Sequence, residues 1–89
     1  MRVIRYSGQF KKDYKRMKKR GGDIKKLRLV IEKLVNEEQL EAHYKDHPFQ
    51  GQFAGARACH VTSDWILIYA IVHNELRLIR MGTHSHLFK

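Results

Sequence analysis

The stretch RACHVTSDWILIY, residues 57–69, decides the fold of this chain. Residues 65–72 are apolar throughout, which is typical of a strand that is covered on both faces of a sheet. Residues 56–61 form a shorter strand before it, and Thr62-Ser63-Asp64 makes the turn between the two strands. This half of the chain is therefore predicted to contain an antiparallel sheet with a buried central strand.

Strands at residues 76–81 and 2–6 complete the predicted sheet. The turn at residues 73–75 carries the chain from the long apolar strand into the strand at 76–81. Residues 2–6 alternate charged and apolar side chains and include β-branched Val3 and Ile4. The residues from Gly82 onward are too few for another packed element and are expected to form an ordered tail.

Two helices are predicted between the first strand and the remaining strands. Ser7 is an N-cap residue for a helix that runs to about residue 19, and Asp23 caps a second helix that runs to about residue 36. Gly21 and Gly22 end the first helix and leave a short connection, so the helices are expected to be antiparallel neighbours. Each helix has one apolar stripe at helical spacing: Phe10, Tyr14 and Met17, then Ile24, Leu27, Val30, Ile31 and Leu34.

The order strand, helix, helix and three strands implies a single α+β domain over residues 1–89. We expect an antiparallel-rich, four-stranded sheet with the two-helix hairpin packed on one face. The other face is expected to be open. Between helix and sheet, residues 39–55 form a long connection that contains Lys45-Asp46-His47-Pro48-Phe49-Gln50-Gly51, and loops of this length are more often functional than idle.

The charge of the chain indicates a polyanionic partner. Eighteen Lys and Arg against nine Asp and Glu give a net charge of +9 and a pI near 10.0. Ten of these cations lie between Lys11 and Arg28. They form either a solvated helix face or a surface that contacts phosphate directly. Cys59 is the single cysteine, and the chain has no signal peptide or membrane-spanning run, so a cytoplasmic protein is expected.

The sequence supports neither a metal site built from its six histidines nor catalysis by its cysteine. His84 and His86 are two residues apart, but no cysteine or second histidine pair at ligand spacing supports them. No metal or other cofactor is therefore expected. Cys59 and His60 are neighbours on a strand, so their side chains point to opposite faces and cannot form a catalytic dyad. Cys59 is expected in the core against the helices.

Acid–base chemistry on RNA fits the remaining groups. RNA carries its own nucleophile, the 2′-hydroxyl, so an enzyme needs only to position it, move two protons and stabilise the phosphorane. Histidine suits the proton transfers and arginine suits the phosphate oxygens. Any one of these residues alone is more commonly a surface or loop residue than a catalyst. Only the complete set indicates a catalytic site. The predicted catalytic set is His47, His60, Asp64, His84 and Arg80, without a metal.

At these residues the chain resembles the RelE superfamily of bacterial toxins, and most closely the YafQ-like mRNA interferases. The resemblance covers nearly the whole length in the order that the family has. The matching stretches are residues 6–9, 45–51, 60–69 and 80–84, and the closing Leu87-Phe88. The combination is specific, although no single stretch would be.

The resemblance implies a small endoribonuclease that enters the ribosomal A site, cuts mRNA and is inhibited by an antitoxin encoded beside it. In that family the positions that match His47, His60, Asp64 and His84 belong to the acid–base site, and His84 matches the proton donor. Arg80 matches the phosphate-binding arginine. Candidate RNA contacts are Arg80, Phe88, Trp65, Lys45 and Arg57.

The chain departs from the family pattern at two positions. Ala58 stands where the family often has an acidic residue, and His86 has no counterpart and is expected to be a solvated tail residue. The expected partners are mRNA in the A site, rRNA along the basic helix face and an acidic antitoxin, with no membrane. Two other readings remain open: a non-catalytic toxin of the same fold that binds gyrase, as ParE-like relatives do, and a basic RNA-binding module.

Overall fold

The computed structural model describes residues 1–50 and 55–87, and within them it contains five strands and three α-helices. A short 3₁₀ helix, Ala42–Tyr44, lies in the long connection. In chain order the elements are β1 Val3–Tyr6, α1 Gly8–Lys19, α2 Ile24–Val35, β2 His47–Pro48, β3 Arg57–His60, β4 Trp65–Val72, β5 Glu75–Thr83 and α3 His84–Leu87. None of these helices is long and apolar enough to span a bilayer.

The strands form one mixed sheet in the order β1-β5-β4-β3-β2. β1 runs parallel to β5, and the other neighbours are antiparallel. The α+β class and its antiparallel-rich sheet are confirmed, but the predicted number of four strands was too small by one. The additional strand, β2, is only His47–Pro48 and lies at the sheet edge, where proline is tolerated because no neighbour needs its missing N–H.

Both long helices begin and end where the capping residues indicated. The Phe10 backbone N–H donates to Ser7 Oγ at 2.9 Å, and the Lys26 N–H donates to Asp23 Oδ1 at 3.0 Å. At the end of α1, Gly21 adopts φ 75°, and the Gly22 N–H donates to the Met17 carbonyl at 2.9 Å. A left-handed residue followed by this bond is the usual glycine-dependent termination of a helix.

The core lies on both faces of the sheet. Cys59 and Leu67, which pair across β3 and β4, belong to the main cluster with the apolar stripes of α1 and α2. Ala58 and Ile68, the adjacent pair, therefore point to the opposite face and form a second cluster with Leu87 of α3. The prediction of an open second face was therefore wrong over this area. The expected tail is instead a one-turn helix that is stabilised by packing against the sheet.

Helix α1 also takes over from β1 along the edge of β5. β1 ends at Tyr6, which pairs with Leu78. Beyond that point Ser7 Oγ donates to the Ile79 carbonyl at 2.7 Å, and the Met81 N–H donates to Asp13 Oδ2 at 3.0 Å. The edge of β5 thus stays hydrogen-bonded where the sheet has no further strand, and this part of β5 carries Arg80.

Candidate active site

Three of the predicted histidines come together at one end of the sheet. His47 on β2 pairs with Ala58, two residues before His60 and on the same face. Trp65 pairs with Thr83, the residue that precedes His84. Burial lowers the pKa of His60, and the positive charges of Lys45, His47 and His84 lower it further. These groups are therefore close enough for their charges to interact, and the His60 ring is neutral at pH 7.

The segment that carries His47 is held by side chains on both sides of it. His47 Nδ1 lies 2.6 Å from the Lys45 carbonyl oxygen. Because a carbonyl can only accept, Nδ1 carries the hydrogen of this bond. The neighbouring Asp46 accepts from Tyr69 Oη at 2.6 Å and from Arg57 Nε at 3.2 Å. The exposed His47 ring is thus presented from an anchored backbone.

The turn between β3 and β4 presents Asp64 and Trp65. Thr62 Oγ1 accepts from the backbone N–H groups of Asp64 at 3.3 Å and of Trp65 at 3.1 Å, which fixes the turn. Asp64 is exposed and forms no ion pair with any described residue. Trp65 is half-buried and packs against the main core cluster, so its position is determined partly by the core.

Arg80 is held by a carboxylate that the sequence analysis did not assign to the site. Arg80 Nε donates to Asp13 Oδ2 at 2.9 Å, and Nη2 donates to Oδ1 at 3.3 Å. Burial alone would raise the pKa of Asp13, but the hydrogen bonds from Arg80, the Met81 N–H and Gln9 hold the pKa below its ordinary value. Asp13 is therefore an ionised carboxylate that is paired with Arg80.

His86 was expected to be a solvated tail residue, and this prediction was wrong. The residue is half-buried, and its Nε2 lies 2.7 Å from Arg16 Nη1 and 3.3 Å from Arg80 Nη2. Guanidinium nitrogens only donate, so Nε2 accepts and carries no hydrogen. α3 brings this ring over the sheet, where the sequence alone predicted no packed element.

Arg57 is three residues before His60 on β3, so its side chain points to the opposite face, where it pairs with Asp46. Phe88 lies outside the described residues. Cys59 is fully buried, and its burial raises the pKa of the thiol to about 12. The predicted core position of Cys59 is confirmed, and its thiol is protonated at neutral pH.

A cavity of about 410 Å³ borders His60 on the side of α2 and the 3₁₀ helix. Its wall includes cationic and aromatic side chains: Lys26, His43, Tyr44 and Lys45. This volume lies within the range of small-ligand sites. The described residues contain no group of three or more His, Cys, Asp or Glu side chains arranged to hold a metal ion.

A mixed sheet with two helices on one face and this histidine cluster at one end has the architecture of a RelE-like toxin. A family model described as a bacterial toxin of type II toxin–antitoxin system, YafQ, matches residues 2–89, and the chain belongs to this family. The family that the sequence motifs indicated is therefore confirmed.

Individual relatives are similar over the whole chain. The mRNA interferase toxin YafQ of Escherichia coli strain K12 is 49% identical over 88 residues, which cover 98% of this chain and 96% of the relative. YafQ in the crystal structure of the E. coli DinJ–YafQ complex has a TM-score of 0.92 and 48% identity, with 100% of both chains covered. A metal-bound toxin from Helicobacter pylori has a TM-score of 0.90 and 42% identity, with 99% of this chain and 100% of that chain covered.

Proposed function

We propose that this chain is the toxin of a toxin–antitoxin pair and acts as an endoribonuclease that cuts mRNA in the ribosomal A site. Its enzyme class follows from its family and from a relative, 49% identical over 98% of this chain, that is an mRNA interferase. The observation that carries the proposal is the gathering of His47, His60 and His84 beside Lys45 at the end of the sheet that also carries Arg80.

The reaction begins with the 2′-hydroxyl of the message. His60, neutral at pH 7, takes the proton from this hydroxyl, whose oxygen attacks the adjacent phosphorus. His84 donates a proton to the departing 5′-oxygen. Arg80 stabilises the negative charge that develops on the phosphorane oxygens, since a guanidinium binds phosphate oxygens in a fixed geometry. His47 and Asp64 are the remaining members of the proposed acid–base site.

RNA contacts extend from this site over the basic surface. Lys45 supplies charge beside His60, and Trp65 and Phe88 hold bases by stacking. The cations of α1 contact rRNA and bring the toxin to the A site. Arg57 lies on the opposite face of β3 and is paired with Asp46. It therefore contributes positive potential instead of a direct contact with the RNA.

A groove of about 1020 Å³ between β1, α1 and α2 is the proposed antitoxin surface. Its floor is apolar and includes Ile4, Phe10, Tyr14, Leu27 and Ile31. Its rim is cationic and includes Lys11, Lys15, Lys18 and Arg28. An apolar floor with a cationic rim fits an acidic amphipathic segment that folds on binding. Since the same cations would contact rRNA, a bound antitoxin would also keep the toxin off the ribosome.

The test is cleavage of a defined message on translating ribosomes by the wild type and by His84→Ala. The wild type should cut the message, and His84→Ala should be slower by roughly 10²–10⁴-fold, the usual effect of removing one positioned proton donor. The matched control is His73→Asn, because His73 lies in the β4–β5 turn at φ 55°, which asparagine tolerates. A wild-type protein that leaves mRNA intact and inhibits gyrase would be the non-catalytic toxin instead.

A further inference from the structure

Asp13 is a buried carboxylate on the apolar side of α1. It is 1% exposed, the lowest value of any charged residue in the described chain, and it lies among the apolar residues Phe10 and Met17 on the inner side of the helix. Burial of a carboxylate costs several kcal/mol unless hydrogen bonds and opposite charges compensate for it. The position therefore requires an explanation beyond packing.

Both carboxylate oxygens of Asp13 are fully engaged. Oδ2 accepts from the Met81 N–H at 3.0 Å and from Arg80 Nε at 2.9 Å. Oδ1 accepts from Arg80 Nη2 at 3.3 Å, from Gln9 Nε2 at 3.1 Å and from Arg16 Nη1 at 3.4 Å. The bond from Met81 comes from the backbone of β5 itself. The orientation of the carboxylate is thus fixed to the strand that carries Arg80.

From this geometry we propose that Asp13 is a positioning residue for Arg80. Asp13 holds the guanidinium along its Nε–Nη2 edge, and His86 Nε2 accepts from Nη2 as well. Nη1 makes no hydrogen bond with the described part of the chain, so its two N–H groups remain for a phosphate oxygen. A guanidinium that is held on one edge keeps the opposite nitrogen in one orientation before the substrate arrives.

This inference rests on the proposed function, because it assumes that Arg80 contacts the reacting phosphate. It has a consequence for kinetics that general damage to the fold would not have. Asp13→Asn removes a negative charge and turns a donor toward Arg80 or Met81, so the orientation of Arg80 is lost while the site becomes more positive. The affinity for RNA in the ground state should therefore stay the same or increase, while the stabilisation of the transition state should decrease.

The experiment is single-turnover cleavage on ribosomes with toxin in excess, so that the saturating rate constant does not depend on the fraction of folded protein. Asp13→Asn should lower this rate constant by about 10- to 100-fold, the size of effect expected from a misplaced catalytic group. Its half-saturating concentration should stay level or fall. Asp23→Asn is the matched control, because it removes the same charge from an exposed helix cap that asparagine serves equally well. A rate within twofold of this control would overturn the proposal.

A double-mutant cycle with Arg80→Ala tests whether Asp13 acts through Arg80. If it does, Asp13→Asn should cause no further loss of rate in the Arg80→Ala protein. If the two losses multiply in the double variant, Asp13 has a role that is independent of Arg80 and the proposal fails.

A measurement on the unaltered protein covers the case in which Asp13→Asn does not fold. In a ¹⁵N NMR spectrum the Arg80 Nε–H should exchange slowly with water, whereas the Nε–H of Arg77, whose side chain is 52% exposed, should exchange fast. Equal exchange rates would overturn the proposal. If the wild type does not cut mRNA at all, the proposed function fails, while this spectrum still decides whether Asp13 holds Arg80.

Discussion

The Tyr69 hydroxyl donates a hydrogen bond of 2.6 Å to Asp46 Oδ1, which joins the middle of β4 to the segment just before β2. Burial raises the pKa of Tyr69, and the negative charge of Asp46 raises it further, so the phenol stays a donor at any physiological pH. Asp46 lies between Lys45 and His47, and both of these residues influence the charge of His60. A core tyrosine thus helps to fix the position of the candidate active site.

Tyr69→Phe should loosen this segment while the core remains filled. The bond to a carboxylate contributes about 1.5–3 kcal/mol, and Asp46 keeps its pairing with Arg57, so we expect a loss of about 1.5 kcal/mol in the free energy of unfolding. Cleavage should slow by about tenfold because His47 and Lys45 are less well positioned. Denaturant unfolding and single-turnover cleavage measure the two effects. Tyr14→Phe is the control, because the Tyr14 hydroxyl makes no hydrogen bond with the described residues, and an equal slowing in both variants would contradict the prediction.

The pH dependence of cleavage should report the lowered pKa of His60. If His60 is the general base, the acid limb of the rate profile should have its midpoint below 6.5, the ordinary value. The same shift affects stability, because the unfolded chain binds a proton at His60 more readily than the folded chain does. The free energy of unfolding should therefore decline as the pH falls from 6.5 through the folded pKa. An NMR titration of His60 with a midpoint at or above 6.5 would contradict both statements.

The elements that the sequence predicted have strong local signals. The caps Ser7 and Asp23, the Gly21-Gly22 termination and the apolar run at residues 65–72 each determine structure through neighbouring residues. β2 and α3 have two and four residues, too few for a periodic pattern, and both exist because they pack or pair on β3 and β5. Their prediction would have required knowledge of these tertiary contacts.

Only part of the site could be predicted from the sequence, because its geometry also depends on tertiary contacts. Residues such as His47 and His60 were predicted from their acid–base chemistry and from the resemblance, but the contacts between them depend on the register of the strands. One missed residue did have a signal. Asp13 lies at helical spacing with Phe10 and Met17, so the amphipathic pattern already placed a carboxylate on the buried side of α1. A charge in that position indicates a partner of opposite sign, which in the folded chain is Arg80.

Association of the antitoxin should depend on ionic strength. The net charge of +9 and the cationic rim of the α1–α2 groove attract an acidic segment over a distance, and salt screens this attraction. We expect stopped-flow association rates to fall steeply as salt is raised. Replacing Lys15 and Lys18 with glutamine should reduce this salt dependence. The control replaces Lys19 and Lys25 with glutamine, which removes the same charge outside the groove. An equal effect of both pairs would argue against the groove as the docking surface.

Cleavage should not require an added transition metal. The proposed chemistry uses histidine and arginine side chains for both proton transfers and for charge stabilisation, so a chelator selective for transition metals should leave the rate unchanged while the ribosome keeps its magnesium. The measurement compares single-turnover rates with and without the chelator, and then with zinc, copper or manganese restored. Strict dependence on one of these metals would contradict the proposed metal-independent chemistry.

The 2′-hydroxyl at the cut site should be the nucleophile. Cys59 is protonated and buried, and His60 and His84 are proposed to move protons, so the attacking oxygen is expected to come from the RNA. Attack by this oxygen leaves a 2′,3′-cyclic phosphate, or the 3′-phosphate from its opening, and a free 5′-hydroxyl. A message with a single 2′-deoxy nucleotide at the cut site should bind normally, since its phosphates and bases are intact, but should not be cut. Mass spectrometry of the products and binding to programmed ribosomes provide the two measurements, and the matched control places the deoxy nucleotide one codon away. Cleavage of the deoxy message at the normal rate would require another nucleophile and would remove the assigned roles from His60 and His84.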